Sequence, residues 1–197
     1  YELIPGDVGF LADKLDILDL NRVKEVKTVK NPVQELSYDL LKEHYEKQGN
    51  KYEEQHYFHG IGNCNSDANN RKIIKDFILS DKLQDKSPDC GLYPLKLYEN
   101  LYWPGIYISN SLKYQDLQSS MKGRSFYLKP YKNSPIKEVF LVKVLIPNDG
   151  YIERKYNDKK MLIPENTVCV HIENSFNGMV SRARPDHVKI EAILHYI

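Results

Sequence analysis

Residues 31–60 read NPVQELSYDLLKEHYEKQGNKYEEQHYFHG, and the change of pattern inside that stretch decides the fold. Asn31 suits an N-cap, because its side chain can accept from backbone N–H groups that have no helical partner. Pro32 suits the first helical position, where no N–H is needed. Val33, Leu36, Leu40, Leu41 and Tyr45 recur at spacings of three and four, which lays one apolar stripe along a helix. Gly49-Asn50 stops it. Tyr57-Phe58-His59-Gly60 then reads as a short buried strand that delivers a histidine to its end.

Downstream, Asn69 or Asn70 can cap a second helix carrying Ile73, Ile74, Phe77 and Ile78. Residues 80–104 are punctuated by Pro88, Gly91, Pro94 and Pro104 and read as a long irregular segment, of the kind that is usually functional or mobile. Residues 105–108 form a second short strand, and 110–119 a helical turn. The last third is strand-rich: 139–145, 167–172 and 188–196 are dense in β-branched residues. Upstream, residues 1–30 mix charged and apolar residues without a clear period and are expected to cover an edge of the core. Helices first and strands last imply an α+β fold with a largely antiparallel sheet.

Composition narrows the function classes. A chain of 197 residues with 41% apolar and 28% charged residues holds one domain with a full core, not a disordered tail. A net charge of +1 projects no field toward nucleic acid or anionic membrane. The three cysteines, Cys64, Cys90 and Cys169, are odd in number and widely spaced, so neither a zinc site nor a disulfide framework is expected. No apolar run approaches a membrane span and no signal-peptide pattern opens the chain. An intracellular location, cytoplasmic or nuclear, is expected. The chain starts at Tyr1 and reads as a piece of something longer.

Three short patterns carry the chemistry: Phe58-His59-Gly60; Gly105-Ile106-Tyr107 with Ser111 and Tyr114 beyond it; and Ile190-Glu191-Ala192-Ile193-Leu194. Taken singly each is ordinary. A histidine at a strand end is more often structural, and a Gly-Ile-Tyr strand is more often core. Glu191 is less ordinary: apolar residues flank it in an alternating strand, which places it at a core boundary where an unpaired carboxylate is costly.

Together and in this order, the patterns resemble the catalytic domain of the poly(ADP-ribose) polymerase (PARP) family, with its His-Tyr-Glu triad. The resemblance spans residues 28–197. It includes Ser175-Phe176-Asn177-Gly178-Met179 and the strand at 139–145. Ile61 after His-Gly and Ala192 after Glu191 depart from the family pattern. The resemblance implies an ADP-ribosyltransferase fold with a split sheet flanked by helices. Residues 1–30 would be a lead-in and 31–197 the catalytic domain. It implies an NAD-dependent transferase that uses NAD as substrate and needs no metal. The acceptor would be a protein, with nucleic acid as the alternative. Glu191, His59 and Tyr107 would be catalytic. His59, Gly60, Tyr107, Ser111 and Tyr114 would bind NAD, with Ser109 the alternative to Ser111.

The chemistry explains why a single acid suffices. Nicotinamide leaves neutral from a cationic ring, so no general acid is needed, unlike ordinary glycosidases with their two carboxylates. A fixed carboxylate near the ribose C1′ would stabilise the growing positive charge. Tyr107 and Tyr114 would stack on the nicotinamide, Gly60 would let its carboxamide approach the backbone, and His59 would hold the adenosine ribose. Two other functions share the same residues: a module that binds NAD or ADP-ribose without chemistry, and an NAD glycohydrolase with water as acceptor.

Overall fold

The computed structural model describes residues 1–60, 79, 106–113, 137–155, 164–174 and 178–197. Among these, nine strands form one sheet: β1 (Glu2–Gly6), β2 (Val23–Lys30), β3 (Tyr52–Gly60), β4 (Ile106–Ser109), β5 (Lys137–Pro147), β6 (Tyr151–Lys155), β7 (Cys169–Asn174), β8 (Gly178–Ala183) and β9 (Val188–Tyr196). Their order is β1-β2-β9-β5-β3-β4-β8-β7-β6. Every pairing is antiparallel except that of β6 with β7. The architecture is therefore mixed, with few helices and a mostly antiparallel sheet, as expected.

β5 is the spine. It pairs with β3 in unbroken register from Tyr52↔Pro147 to Gly60↔Val139, and with β9 on its other side. A strand covered on both faces must be apolar throughout, which explains the continuous run Val139 to Ile146 broken only by Lys143. β3 and β4, by contrast, meet at a single register position, Phe58↔Ser109. The sheet is split there, into a five-strand part ending in β3 and a four-strand part beginning with β4.

Period-two alternation divides the core between two faces. On the first face lie Phe58, Val139, Leu141, Ala192, Leu194 and Tyr196, packed with Leu11 and Leu112. On the second lie Tyr57, Phe140, Val142, Val144, Ile190 and Ile193, with Leu79. Residues 1–30, expected to be a lead-in, contribute β1 and β2 to the sheet itself, and Leu11 to the first-face core.

The helix expected after Asn31 is α2 (Pro32–Lys47), which follows β2; the short α1 (Ile17–Leu20) precedes that strand. The Asn31 side chain accepts from the N–H groups of Val33 and Gln34 at 3.1 and 3.3 Å, and Gly49 adopts φ 71° just past the end. The expected apolar stripe is corrected. Val33, Leu36 and Leu40 are 52%, 61% and 55% exposed, so they face away from the sheet. The helix docks instead through Gln34, Tyr38, Lys42 and Tyr45, an i, i+4, i+8, i+11 stripe. Tyr38 is buried, Lys42 pairs with Glu54 at 3.3 Å, and the Tyr45 hydroxyl and His187 Nε2 share a hydrogen bond of 2.7 Å. The receiving surface is polar, so the polar stripe is the one that fits it. The second helix expected around 73–78, the segment 80–104 and Cys64 and Cys90 lie outside the described residues.

Candidate functional site

β3 brings two histidines to opposite sides of the sheet. His59 faces with Tyr57: its ring stacks on Phe140 at a centroid distance of 6.5 Å and an interplanar angle of 14°, and it is buried. His56 faces the other way, with Phe58. Gly60 closes the strand opposite Val139 and is also buried.

Across the split, Tyr107 takes its place in β4 opposite Arg182 of β8. Ser109 is fully buried, and its hydroxyl donates to the carbonyl of Ser111 at 3.3 Å. The Ser111 hydroxyl accepts from Lys113 N–H at 3.1 Å, while Leu112 N–H donates to the buried carboxylate of Asp19 at 3.2 Å. Both groups therefore cap the turn that follows β4. Tyr114 lies outside the described residues.

Glu191 occupies a β-bulge. Leu141 pairs with Ala192 and Val142 with Ile190, which leaves Glu191 as the extra residue between them. A bulge re-aims its side chain, and here the carboxylate enters the space under α2. Lys143 Nζ lies 2.7 Å from Oε1, and His56 Nε2 lies 2.8 Å from Oε2. A carboxylate only accepts, so His56 carries its proton on Nε2. The interrupted ladder is supported from the helix, where the Gln34 side chain accepts from Ile190 N–H at 3.4 Å.

Burial alone would raise the pKa of Glu191. The hydrogen bonds from His56 and Lys143, and their charge, more than offset this and bring it to about 2. On the other side of the pair, burial disfavours the Lys143 cation, but the bond to Glu191 outweighs it and raises the ammonium pKa. Asp13 also adds a favourable charge near Lys143. This is a closed ion-pair network, legible in the sequence only as an acid between apolar neighbours.

The structure brings His59, Gly60, Tyr107 and Ser111 to neighbouring strands or the turn beyond, but sets Glu191 apart from them. β9 is separated from β3 by β5, roughly 10 Å at the usual strand spacing. Glu191 also leaves the sheet on the face of His56 and Lys143, opposite to that of His59 and Phe140. β8, the other neighbour of β4, reads Gly-Met-Val-Ser-Arg-Ala and contains no acid. One acid on the His59 face is Glu138 of the neighbouring strand β5, which sequence reading passed over. It is 2% exposed and lies 3.2 Å from His195 Nε2. Among the described residues no group of three or more His, Cys, Asp or Glu side chains is placed to hold a metal ion. Nor is any helix long and apolar enough to cross a membrane.

The split antiparallel sheet with its few covering helices defines a PARP-like fold. A solved structure shares it: the crystal structure of the TASOR pseudo-PARP domain is similar at a TM-score of 0.55 and 12% identity, over 100% of this chain and 98% of that one. Likeness at this identity is a likeness of fold. No protein-family model matches the chain, and no curated protein matches it by sequence.

Proposed function

We propose that this chain is a PARP-fold module that works without cleaving NAD. The observation that carries the reading is the position of Glu191: its carboxylate is closed by Lys143 and His56 on the face of the sheet away from His59. A carboxylate can stabilise a growing ribosyl cation only if its charge is turned toward C1′ and not already met by fixed cations. In favour of this reading, Glu191 leaves the sheet on the face away from His59, and the Lys143 ammonium already lies 2.7 Å from its carboxylate. The strands next to His59 and Tyr107 offer no free replacement, because β8 contains no acid and Glu138 of β5 is buried against His195. In this reading the fold is retained for binding and Glu191 stabilises the domain.

A second reading, an active ADP-ribosyltransferase, is favoured by the order of the three motifs and by the split between β3 and β4, where His59-Gly60 and Tyr107 lie on either side. There NAD would be the substrate, a protein the acceptor, and Glu191 the essential acid. Incubation with NAD labelled in both the nicotinamide and the adenylate separates the two. The non-catalytic module releases no nicotinamide above buffer. Release with label on protein or nucleic acid would overturn it in favour of the transferase, and release without transfer would indicate a glycohydrolase.

A further inference from the structure

His195 stands at the centre of a row that crosses three strands in direct register: Glu25 of β2, His195 of β9 and Glu138 of β5. Its Nδ1 lies 2.5 Å from Glu25 Oε2 and its Nε2 3.2 Å from Glu138 Oε1. Carboxylates only accept, so both ring nitrogens must donate. Only the imidazolium does so; neutral imidazole has a single N–H. With both carboxylates ionised, the geometry calls for the imidazolium, whose second proton free imidazole holds weakly at neutral pH.

The row also has a mechanical position. β1 pairs with β2, and among the described residues β2 joins the rest of the sheet through β9 alone. Glu25–His195 is a side-chain tie across that joint, beside Arg22, whose Nε donates to the Ile197 carbonyl at 2.7 Å, and Glu138–His195 extends the tie into the spine. The β2–β9 ladder shifts register between Val23 and Glu25, beside the tie, so the backbone ladder is interrupted where the side chains take over.

We propose that His195 is a proton-operated staple: as imidazolium it fastens the β1–β2 edge to the sheet, and loss of its proton loosens that edge. When the ring is neutral, one of the two carboxylates loses the donor that His195 supplied. If that one is Glu138, a 2% exposed carboxylate keeps its other partner but loses the imidazolium charge, which is the costlier case. Among the described residues, the charged groups facing the ring are Glu25 and Lys27 from β2 and Glu138 from β5. His59 of β3 lies further along the same face. Lys27 Nζ sits 3.4 Å from Glu25 Oε1 and moderates the exposed arm. The bond to Glu138, and then that to Glu25, raise the His195 pKa above its ordinary 6.5 against the effect of burial. A raised pKa means the staple is fully closed below about 6.5 and opens as pH rises through the folded value.

Hydrogen–deuterium exchange on the full chain, taken across the imidazole titration and corrected for intrinsic exchange, tests this. The opening constant of β1 and β2 amides should rise by up to about tenfold per pH unit between the free and folded imidazole pKa, with β3 and β5 amides unchanged. In His195→Gln that rise should vanish. A flat wild-type profile, or the same slope in His195→Gln, overturns the proposal. If His195→Gln does not fold, Glu25→Gln decides: its side chain is half exposed, and its loss should move the opening to lower pH. An unmoved opening pH in that variant is the contrary result.

Discussion

His59 and Glu191 flank the same strand, β5, yet leave the sheet on opposite faces. His59 stacks on Phe140, whereas Glu191 bonds to Lys143, three residues further along the spine. The bulge at Glu191 reverses the alternation of β9: Val188 and Ile190 face with Phe140, but Ala192, Leu194 and Tyr196 face with Leu141. One extra residue thus decides where the acid stands.

The Lys143–Glu191 pair makes a stability prediction that a catalytic role for Glu191 would not require. Lys143→Met leaves a 9% exposed carboxylate with His56 alone. Breaking a buried pair from one side costs about 3 kcal/mol, while replacing both partners by apolar groups is often neutral. The single variant should therefore melt roughly 6–12 °C lower, and Lys143→Met/Glu191→Leu should recover most of that. Calorimetry checks it. A single-variant midpoint equal to wild type would show that the pair contributes nothing.

Acid should expose the same pair. The Glu191 pKa is about 2 against an ordinary 4.5, so the group favours the folded state above the ordinary value. That contribution, about 3 kcal/mol, is lost as pH falls from there through the folded value. The gap in urea-unfolding free energy between wild type and Glu191→Gln should narrow progressively over that window. A gap independent of pH would mean that the carboxylate is not ionically held.

The sequence made some of this legible and hid the rest for identifiable reasons. α2 was readable at both ends, from the Asn31 cap and the Gly49 stop, and 188–196 matches β9 residue for residue. β2 was hidden because Val23, Val26 and Val29 recur every three residues; the register shift between Val23 and Glu25 breaks the period-two signature. The first half of β3 was hidden because Glu54 and His56 are polar, although one meets Lys42 and the other Glu191. Buried polar pairs cancel the hydrophobic signal on which strand recognition depends. For the candidate site, residue types could be read, but sidedness could not, because a bulge has no signature of its own in one sequence.

Asn31 should be worth more than an ordinary cap. Its Oδ1 accepts from Val33 and Gln34, and its Nδ2 donates to the Leu79 carbonyl at 3.0 Å in a buried setting. Asn31→Ala removes both functions and should cost about 2 kcal/mol, by loss of the cap and of a buried hydrogen bond. Asn31→Asp keeps the cap but turns an acceptor toward that carbonyl, so it should not restore full stability. Equal urea midpoints for wild type and Asn31→Asp would show that the Leu79 contact is dispensable.

The orientation of α2 can be tested directly, because pattern and structure place Val33, Leu36 and Leu40 differently. If Val33, Leu36 and Leu40 formed the buried stripe, changing each to Gln would cost several kcal/mol. They are more than half exposed, so each change should stay within about 0.5 kcal/mol and leave the helical circular dichroism unchanged. Tyr38, 4% exposed beneath the same helix, should behave in the opposite way: Tyr38→Ala removes a buried aromatic ring and should cost about 4 kcal/mol. A triple Val33→Gln, Leu36→Gln, Leu40→Gln variant that unfolds, beside a Tyr38→Ala variant that does not, would reverse the assignment. It would also take Gln34 away from the Glu191 bulge, since the face that carries Tyr38 is the one that supports Ile190.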